Sequence, residues 1–352
     1  MYWPMKLRKT QNKILYVSRQ SNTLSGDLLA LKKQVEQLSP QTTQEFRLRL
    51  LRDEKGLSLS YLFGILGDMW SMATAKVVVA DTYSIPLSCL THKKEQSRVQ
   101  IWHALGAVKQ FGLQSAGKAS GRNADVAKVL CMHQNYTHVM APSQTTAEYY
   151  TKAFGCSSSV IHIGSLPRVD DLLQEDSKRE EFLQKNPVYR NKRLVLYVPT
   201  FREKDETYIA ALWQAFAGEE SLGCIVAPHP LSESAKNKAY HWQGDFTTYD
   251  LMKVCDEIIT DYSACSVEGA LLQKPLWFFV PDYEDYKEQQ GLNVELTAWF
   301  PNACFQDPGQ LVEAIKTGEY DFSLVKDYAQ TFVEQRGTNN SETVAKWICS
   351  LL

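Results

Sequence analysis

Residues 256–286, DEIITDYSACSVEGALLQKPLWFFVPDYEDY, decide the fold class. The apolar pair Ile258-Ile259 reads as a strand running into Thr260-Asp261-Tyr262-Ser263. A helix of small residues follows, and Lys274-Pro275 leads into a second apolar strand. This is one βαβ crossover. Its first turn sets hydroxyls and backbone N–H groups at a helix N-terminus, where about half a positive charge and unpaired donors suit a phosphate or diphosphate. The ligand it implies is a nucleotide-linked donor.

The same alternation extends to both sides. Strands are expected at 194–198, 224–227, 257–260 and 276–280 in the second half, and at 14–17, 76–80, 138–141 and 160–163 in the first. A helix is expected from about Asp27, and Thr145-Thr146-Ala147-Glu148 reads as a capping box opening another that ends near Gly155. The charged stretch 175–193, with Asn186-Pro187, places a linker within about 165–190. The expected organisation is therefore α/β, two Rossmann-type doubly wound domains at 1–175 and 176–352 with a cleft between them. Ligands of such sheets sit beyond the carboxyl ends of the strands.

Composition excludes several function classes. The chain has 352 residues, 38 basic and 40 acidic side chains and a net charge of −2, so no global field draws in nucleic acid. Its eight cysteines are scattered without a CxxC pair, which suggests neither a disulfide framework nor a zinc site. The N-terminal MYWPMKLRKTQNK lacks the apolar run of a signal peptide, so the chain is expected to stay inside the cell. The apolar stretch 61–80 carries Asp68 and Lys76 and reads as a core or surface helix followed by a buried strand, not as a membrane span. The Rossmann GxGxxG, the P-loop, HExxH and GxSxG are all absent.

Unusual residues cluster just past the expected strands: Trp102-His103, Pro199-Thr200-Phe201-Arg202, Pro228-His229-Pro230 and the Thr260–Ser263 turn. A neutral imidazole at His103 suits a general base, although a structural histidine beside Trp102 fits the same pattern. His229, between two prolines, is suited to hold a phosphate, and a turn histidine is the plainer reading. Lys109 and Gly112 form a Lys-x-x-Gly turn able to hold an anion, where a solvated lysine is the commoner outcome. Arg168 and Arg202 are candidates for a bidentate diphosphate clamp or for ion pairs. Glu268, five residues past Ser263, could accept hydrogen bonds from a ribose.

Together these residues resemble the CDP-glycerol glycerophosphotransferases, the teichoic acid primases and polymerases of Gram-positive bacteria, including CDP-ribitol-using relatives. The pieces come in the family's order: YVSRQSNTLSGDL at 16–28, AKVVVADTYS at 75–84, WHALGAVKQFG at 102–112, APSQTTAEYYTKAFG at 141–155, GSLPRVD at 164–170, VLYVPTFR at 195–202, APHP at 227–230 and TDYSACSVEGALLQKPLWFFVPDYEDY at 260–286. The resemblance implies a GT-B-like fold with the nucleotide on the C-terminal domain and a last helix that is a candidate to cross back to the first. It implies that His103 and His229 are catalytic, that Arg168, Thr200, Arg202, Thr260, Ser263 and Glu268 bind the donor, and that Lys109 contacts acceptor or phosphate.

The implied reaction transfers glycerol phosphate or ribitol phosphate from a CDP-alditol to a hydroxyl of a polyprenyl-diphosphate-linked glycan, with release of CMP. The enzyme would work peripherally at the cytoplasmic face of the membrane, with Tyr2, Trp3, Lys6, Arg8 and Lys9 as candidate anchors. No cofactor is implied; Mg²⁺ is left open, with Asp261 as a candidate ligand. Ala104-Leu105-Gly106 departs from the glycine that follows the first histidine in many polymerase-type members, a shape that looks like another branch of the family with a different acceptor or alditol, and the lack of the long extra N-terminal region of some polymerases favours a single-addition enzyme. The alternative is a GT-B nucleotide-sugar glycosyltransferase or epimerase.

Overall fold

The computed structural model describes residues 2–50, 59–202, 205–229, 232, 242 and 244–352, with residues 59–62 described in their backbone alone. Two compact units result. The first comprises the chain up to Leu105, Gln110–Asp171 and Val333–Leu352; the second comprises Gly106–Lys109 and Leu172–Phe332. Four residues just after Trp102-His103 thus group with the second unit, and the last twenty residues group with the first.

Unit 1 holds a six-stranded sheet of β1 (Gln11–Ser18), β2 (Thr43–Leu48), β3 (Ala75–Ala80), β4 (Ser97–Gln100), β5 (His138–Ala141) and β6 (Ile161–Ile163), in the order β2-β1-β3-β4-β5-β6. Every pairing in it is parallel. A parallel sheet is covered on both faces, which is why β1 and β3 read as unbroken apolar runs: Ile14 to Val17 and Val77 to Ala80 are buried. Tyr16 lies opposite Phe46 and Val79, and its ring stacks on that of Phe46 at 4.8 Å.

Helices α1 (Tyr2–Lys6), α2 (Gly26–Leu38) and α3 (Leu59–Thr74) belong to this unit. The Ser25 hydroxyl accepts the Leu28 N–H and starts α2. The helix Gln144–Phe154 is capped by Ser143, whose hydroxyl accepts the Thr146 N–H, so the capping box expected at Thr145 to Glu148 is displaced by a cap two residues upstream. It stops at Gly155, whose φ of 60° completes a left-handed C-cap. The last helix, Asn340–Ser350, packs on α2. Asp170 starts it, accepting the N–H groups of Asn340 and Ser341 at 2.8 Å each.

Unit 2 is built the same way from β7 (Arg193–Tyr197), β8 (Leu222–Val226), β9 (Glu257–Thr260), β10 (Leu276–Phe279) and β11 (Cys304–Phe305), in the order β11-β10-β9-β7-β8 and parallel throughout. The βαβ unit expected at 256–286 is present as β9, the helix Cys265–Leu271 and β10. In each sheet the strand order reverses once, between β1 and β3 in unit 1 and between β7 and β9 in unit 2. Crevices for ligands open at such reversals, beyond the strand C-termini.

Candidate active site

At the unit 1 reversal, Ser18 ends β1 and Asp81 follows β3. The Ser18 hydroxyl donates to Asp81 Oδ2 at 3.0 Å and the Gln20 amide donates to the same oxygen at 2.9 Å. Asp81 is 1% exposed, and burial pushes its carboxyl up to about 6 despite these two donors. Its main-chain oxygen is 2.8 Å from Nδ1 of His103. A carbonyl can only accept, so this contact puts the imidazole proton on Nδ1 and leaves the lone pair on Nε2. That is the tautomer of a general base acting through Nε2.

The backbone before His103 is unusual. Trp102 takes φ 58°, a left-handed conformation that bulky residues avoid. Its N–H is held at 2.9 Å by Gln100 Oε1, and the Gln100 amide in turn donates to Tyr136 Oη at 2.9 Å and to the Thr82 carbonyl. The indole stacks on Phe111 at 4.7 Å and meets Phe154 and His133 edge-on. His133 is buried among these rings, which depresses its imidazole to about 3 and keeps it neutral. A rigid aromatic box thus fixes the turn that presents His103.

At the unit 2 reversal a second buried aspartate, Asp261, follows β9. Its Oδ1 accepts the Thr200 N–H at 2.9 Å and its Oδ2 accepts from Arg202 at 2.5 Å. Arg202 places its other edge bidentately on Asp282, at 3.0 Å for both nitrogens, and lies about 5.5 Å from the rings of Tyr208, Tyr262 and Tyr286. Lys109 Nζ donates to the Thr200 hydroxyl at 2.5 Å. Burial lowers the Lys109 ammonium and raises the Asp261 carboxyl; each shift is opposed by the charges of the other side of the cluster. Two cations and two carboxylates therefore neutralise one another in this unit.

The remaining candidates take definite places. Lys109 is half-buried, its ammonium on the Thr200 hydroxyl, and groups with unit 2, whereas Gly112 groups with unit 1. Thr260 is buried with its hydroxyl on the Val198 carbonyl at 2.8 Å. Ser263 accepts the Cys265 N–H at 3.3 Å, and the Ser266 and Val267 N–H groups bond to the Ser263 and Ala264 carbonyls, so the start of this seven-residue helix is closed by its own turn. Glu268 is buried and receives the Tyr249 hydroxyl at 3.1 Å. Arg168 lies in unit 1, where its backbone N–H and its guanidinium both engage Asp27. Asp261 faces the protein's own cations, and among the described residues no cluster of three or more His, Cys, Asp or Glu is disposed to hold a metal ion. His229 follows β8, half-buried, its ring 5.6 Å from that of Phe201; Pro230, the second of its flanking prolines, lies outside the described residues.

Sequence reasoning missed Asp81, Gln100, Tyr136 and Asp282. Only Asp81 carried a signal, as an acid directly after the apolar run of β3.

Comparison with known proteins places this geometry. The chain is 28% identical to a teichoic acid ribitol-phosphate primase of Bacillus spizizenii, over 97% of this chain and 92% of the relative. It is 24% identical to a teichoic acid glycerol-phosphate primase of Bacillus subtilis, over 81% and 76%. A poly(ribitol-phosphate) polymerase of B. spizizenii matches at 26%, but this chain spans only 56% of it. The fold is that of the wall teichoic acid polymerase TagF, with a TM-score of 0.74 at 15% identity over 99% of this chain and 92% of that one. The S. aureus MnaA–UDP structure shares it more distantly, at a TM-score of 0.63 and 13% identity over 97% and 98%. The family model for CDP-glycerol:poly(glycerophosphate) glycerophosphotransferase matches residues 2–350, so this chain belongs to that family and is an enzyme of the CDP-alditol phosphotransferase type.

Proposed function

We propose that the protein transfers glycerol phosphate or ribitol phosphate from a CDP-alditol to a hydroxyl of a polyprenyl-diphosphate-linked glycan. The observation that carries the mechanism is the Nδ1 contact of His103 with the Asp81 carbonyl, which leaves Nε2 as the basic nitrogen. The acceptor oxygen attacks the alditol-bearing phosphorus while its proton passes to His103 Nε2. The bond from that phosphorus to the CMP oxygen breaks, and CMP leaves with the electron pair. A phosphodiester and CMP are the products.

His229 is assigned to the donor diphosphate, where it would stabilise charge as the bond breaks. Thr200, Ser263 and Glu268 are assigned to orienting the nucleotide. Arg202 already holds Asp261 and Asp282, so its contribution is to fix the loop that carries Thr200, whereas Arg168 holds Asp27 within unit 1. Lys109 acts on the donor side through Thr200. A TagF structure soaked with CDPG and the ribitol-phosphate and glycerol-phosphate primases among the relatives support a CDP-alditol as donor.

A peripheral position at the cytoplasmic face of the membrane fits the surface of unit 1. No helix among the described residues is long and apolar enough to cross a membrane. Yet α1 packs on α3, and along the pair Trp3 (71%), Leu7 (73%), Phe63 (70%) and Trp70 (43%) are exposed. The Arg8 guanidinium sits 4.0 Å over the Trp70 ring, and no acid occurs before residue 27. An apolar surface with basic residues beside it suits an anionic interface.

The deciding experiment offers the protein CDP-glycerol, CDP-ribitol and a UDP-sugar, each with a lipid-linked disaccharide, and measures released nucleotide. CMP from one CDP-alditol is the expected result. UDP release in its place would sink the reading in favour of a glycosyltransferase.

A further inference from the structure

Cys89 and Cys131, 42 positions apart in the sequence, come together in unit 1 next to the aromatic residues that fix His103. Cys89 ends the helix Ile85–Cys89 and is exposed; Cys131 lies just past the helix Ala124–Val129 and is half-buried. The Cys89 thiol donates to the carbonyl of Leu130, the residue before Cys131, at 2.9 Å, and the two cysteine side chains lie within hydrogen-bonding reach of each other. Asn135 fastens the two segments. Its amide donates to the carbonyls of Ser88 at 2.6 Å and Leu90 at 3.0 Å, on either side of Cys89. Two free thiols in contact and open to solvent form a site for two-electron oxidation, the usual role of such a pair in a reducing compartment.

The loop that carries Cys131 is strained and is tied to the base. Cys131, His133 and Asn135 take φ of 46°, 60° and 71°, left-handed values uncommon outside glycine. Such strain persists only where the surroundings impose it. His133 Nδ1 lies 3.0 Å from the Tyr136 hydroxyl, which also receives the Gln100 amide, and Gln100 Oε1 holds the Trp102 N–H beside His103. The Leu130 carbonyl is a second tie: it accepts from Tyr83 Oη at 2.6 Å as well as from Cys89, and the Tyr83 ring meets that of His133 at 5.3 Å. Contacts thus run without a break from the thiols to the turn that presents the base.

We propose that Cys89 and Cys131 are an oxidation site, closed to a disulfide by a hydroperoxide, and that closure loosens the turn presenting His103. One sulfur attacks the nearer oxygen of hydrogen peroxide and the O–O bond breaks, giving a sulfenic acid and hydroxide, which leaves as water with the thiol proton. The second sulfur attacks the sulfenic sulfur and expels its oxygen as a second water. Two thiols and one peroxide give one disulfide and two waters, both electrons coming from the sulfurs. An S–S bond of about 2 Å is far shorter than a contact between unbonded sulfurs, so the 131–135 loop must move. The oxidised Cys89 has no proton to give the Leu130 carbonyl, and that tie is lost. Burial, and then the neighbouring Cys131 sulfur, hold the Cys89 thiol above its ordinary value, so the pair reacts faster as the pH rises. The site stands without the reaction proposed above; its effect on turnover rests on His103 as the base.

The test treats the full-length protein, reduced with dithiothreitol and then freed of it, with hydrogen peroxide and maps its peptides by mass spectrometry. A peptide pair joined through Cys89 and Cys131 is expected, forming at least about threefold faster at pH 8.5 than at pH 7.0 and reopened by dithiothreitol. Hydrogen exchange over residues 97–105 should be faster in the oxidised than in the reduced protein, as the hold on the Trp102 N–H loosens. Cys89→Ser keeps a donor for the Leu130 carbonyl and should show no change in exchange on peroxide treatment. The comparison of reduced with oxidised parent needs no variant to fold. Sulfenic acid without a joined pair, a bond to another cysteine or between molecules, or equal exchange in the reduced and oxidised parent would overturn the proposal, as would a peroxide effect on exchange that persists in Cys89→Ser.

CMP release measured on the same samples separates this site from the reaction. Oxidation should lower kcat by at least about tenfold, part of what a positioned base contributes, with CDP-alditol affinity unchanged and the rate restored by dithiothreitol. Cys89→Ser should keep the parent rate and lose the sensitivity. A parent that turns over equally well reduced and oxidised removes the link to His103 and leaves the reaction. A joined pair with faster exchange, but no CMP from any CDP-alditol in the reduced protein, removes the reaction and leaves the oxidation site.

Discussion

Nδ1 of His103 and the main-chain oxygen of Asp81 lie 2.8 Å apart, and this contact fixes which imidazole nitrogen is basic. Replacing His103 by Ala should lower kcat by roughly 10²–10⁴-fold, the usual contribution of a positioned general base. Affinity for the CDP-alditol, measured by calorimetry, should stay within a few-fold of the parent. A comparable loss of donor affinity would move His103 out of the base role.

Asp81 should make stability depend on pH. Its carboxyl is pushed up to about 6 in the fold from an ordinary 3.8, so the folded chain binds more protons than the unfolded one between those values. Stability from this group is therefore greatest in acid and falls as pH rises toward 6. The displacement is equivalent to at most about 3 kcal/mol. Asp81→Asn, which keeps an acceptor for Ser18 and Gln20, should raise Tm relative to the parent at pH 7.5 more than at pH 4.5. A gap in Tm that does not change with pH would count against a charged, buried Asp81.

Arg202 is shared between two carboxylates, one of them fully buried. Removing it takes the guanidinium from both Asp261 and Asp282, and Lys109 stays beside Asp261. Arg202→Met should cost about 3–5 kcal/mol in urea unfolding. Adding Asp282→Asn should recover part of that loss, giving a non-additive double-mutant cycle. Strict additivity would mean that the two do not act as a pair.

Gly106 is required by contact. A Cβ there would lie 2.6 Å from Cγ2 of Val267, a branched and buried side chain that cannot swing away. Gly106→Ala should destabilise by about 1–3 kcal/mol. Val267→Ala in the same protein should return part of the loss. If both single variants are silent, the segment 106–109 is not seated on unit 2 as described.

Exposed aromatic residues on α1 and α3 should govern membrane association. Trp3→Ser with Phe63→Ser should reduce co-sedimentation with vesicles containing anionic lipid by severalfold, with the melting temperature held. Lys6→Glu with Lys9→Glu should do the same for anionic but not for neutral vesicles. Undiminished sedimentation in both would place the contact elsewhere on the chain.

Much of the sheet architecture was legible because parallel strands are buried on both faces and stand out as apolar runs. Residues 138–141 and 257–260 are found as strands with the bounds expected, and the helix-to-strand change expected within 61–80 falls at Ala75, between α3 and β3. β2, TQEFRL, escaped because Glu45 and Arg47 interrupt it; their partners, Lys13 and Ser71, come from distant segments. The two-residue β11 is too short to show any period.

Residues past strand ends were legible as positions but not as roles. Thr200, Arg202 and Thr260 stand where expected, yet whether each faces ligand or protein depends on pairings such as Lys109 with Thr200, 91 residues apart. Arg168 meets Asp27 across 141 residues. Arg47 and Arg49 at strand spacing and Gly64 and Gly67 three apart on a helix are visible in the sequence, but only the fold shows that the guanidinium groups lie against those glycines.

The grouping of residues 333–352 with unit 1 has a bearing on synthesis. The helix Asn340–Ser350 is made after the strands of unit 1, with the whole of 172–332 emerging between them. Unit 2 has all its segments in hand once Phe332 is made, whereas α2 still waits for its partner helix. During that interval the buried face of α2, with Leu28, Leu31 and Val35, is the part of the nascent chain most in need of shielding.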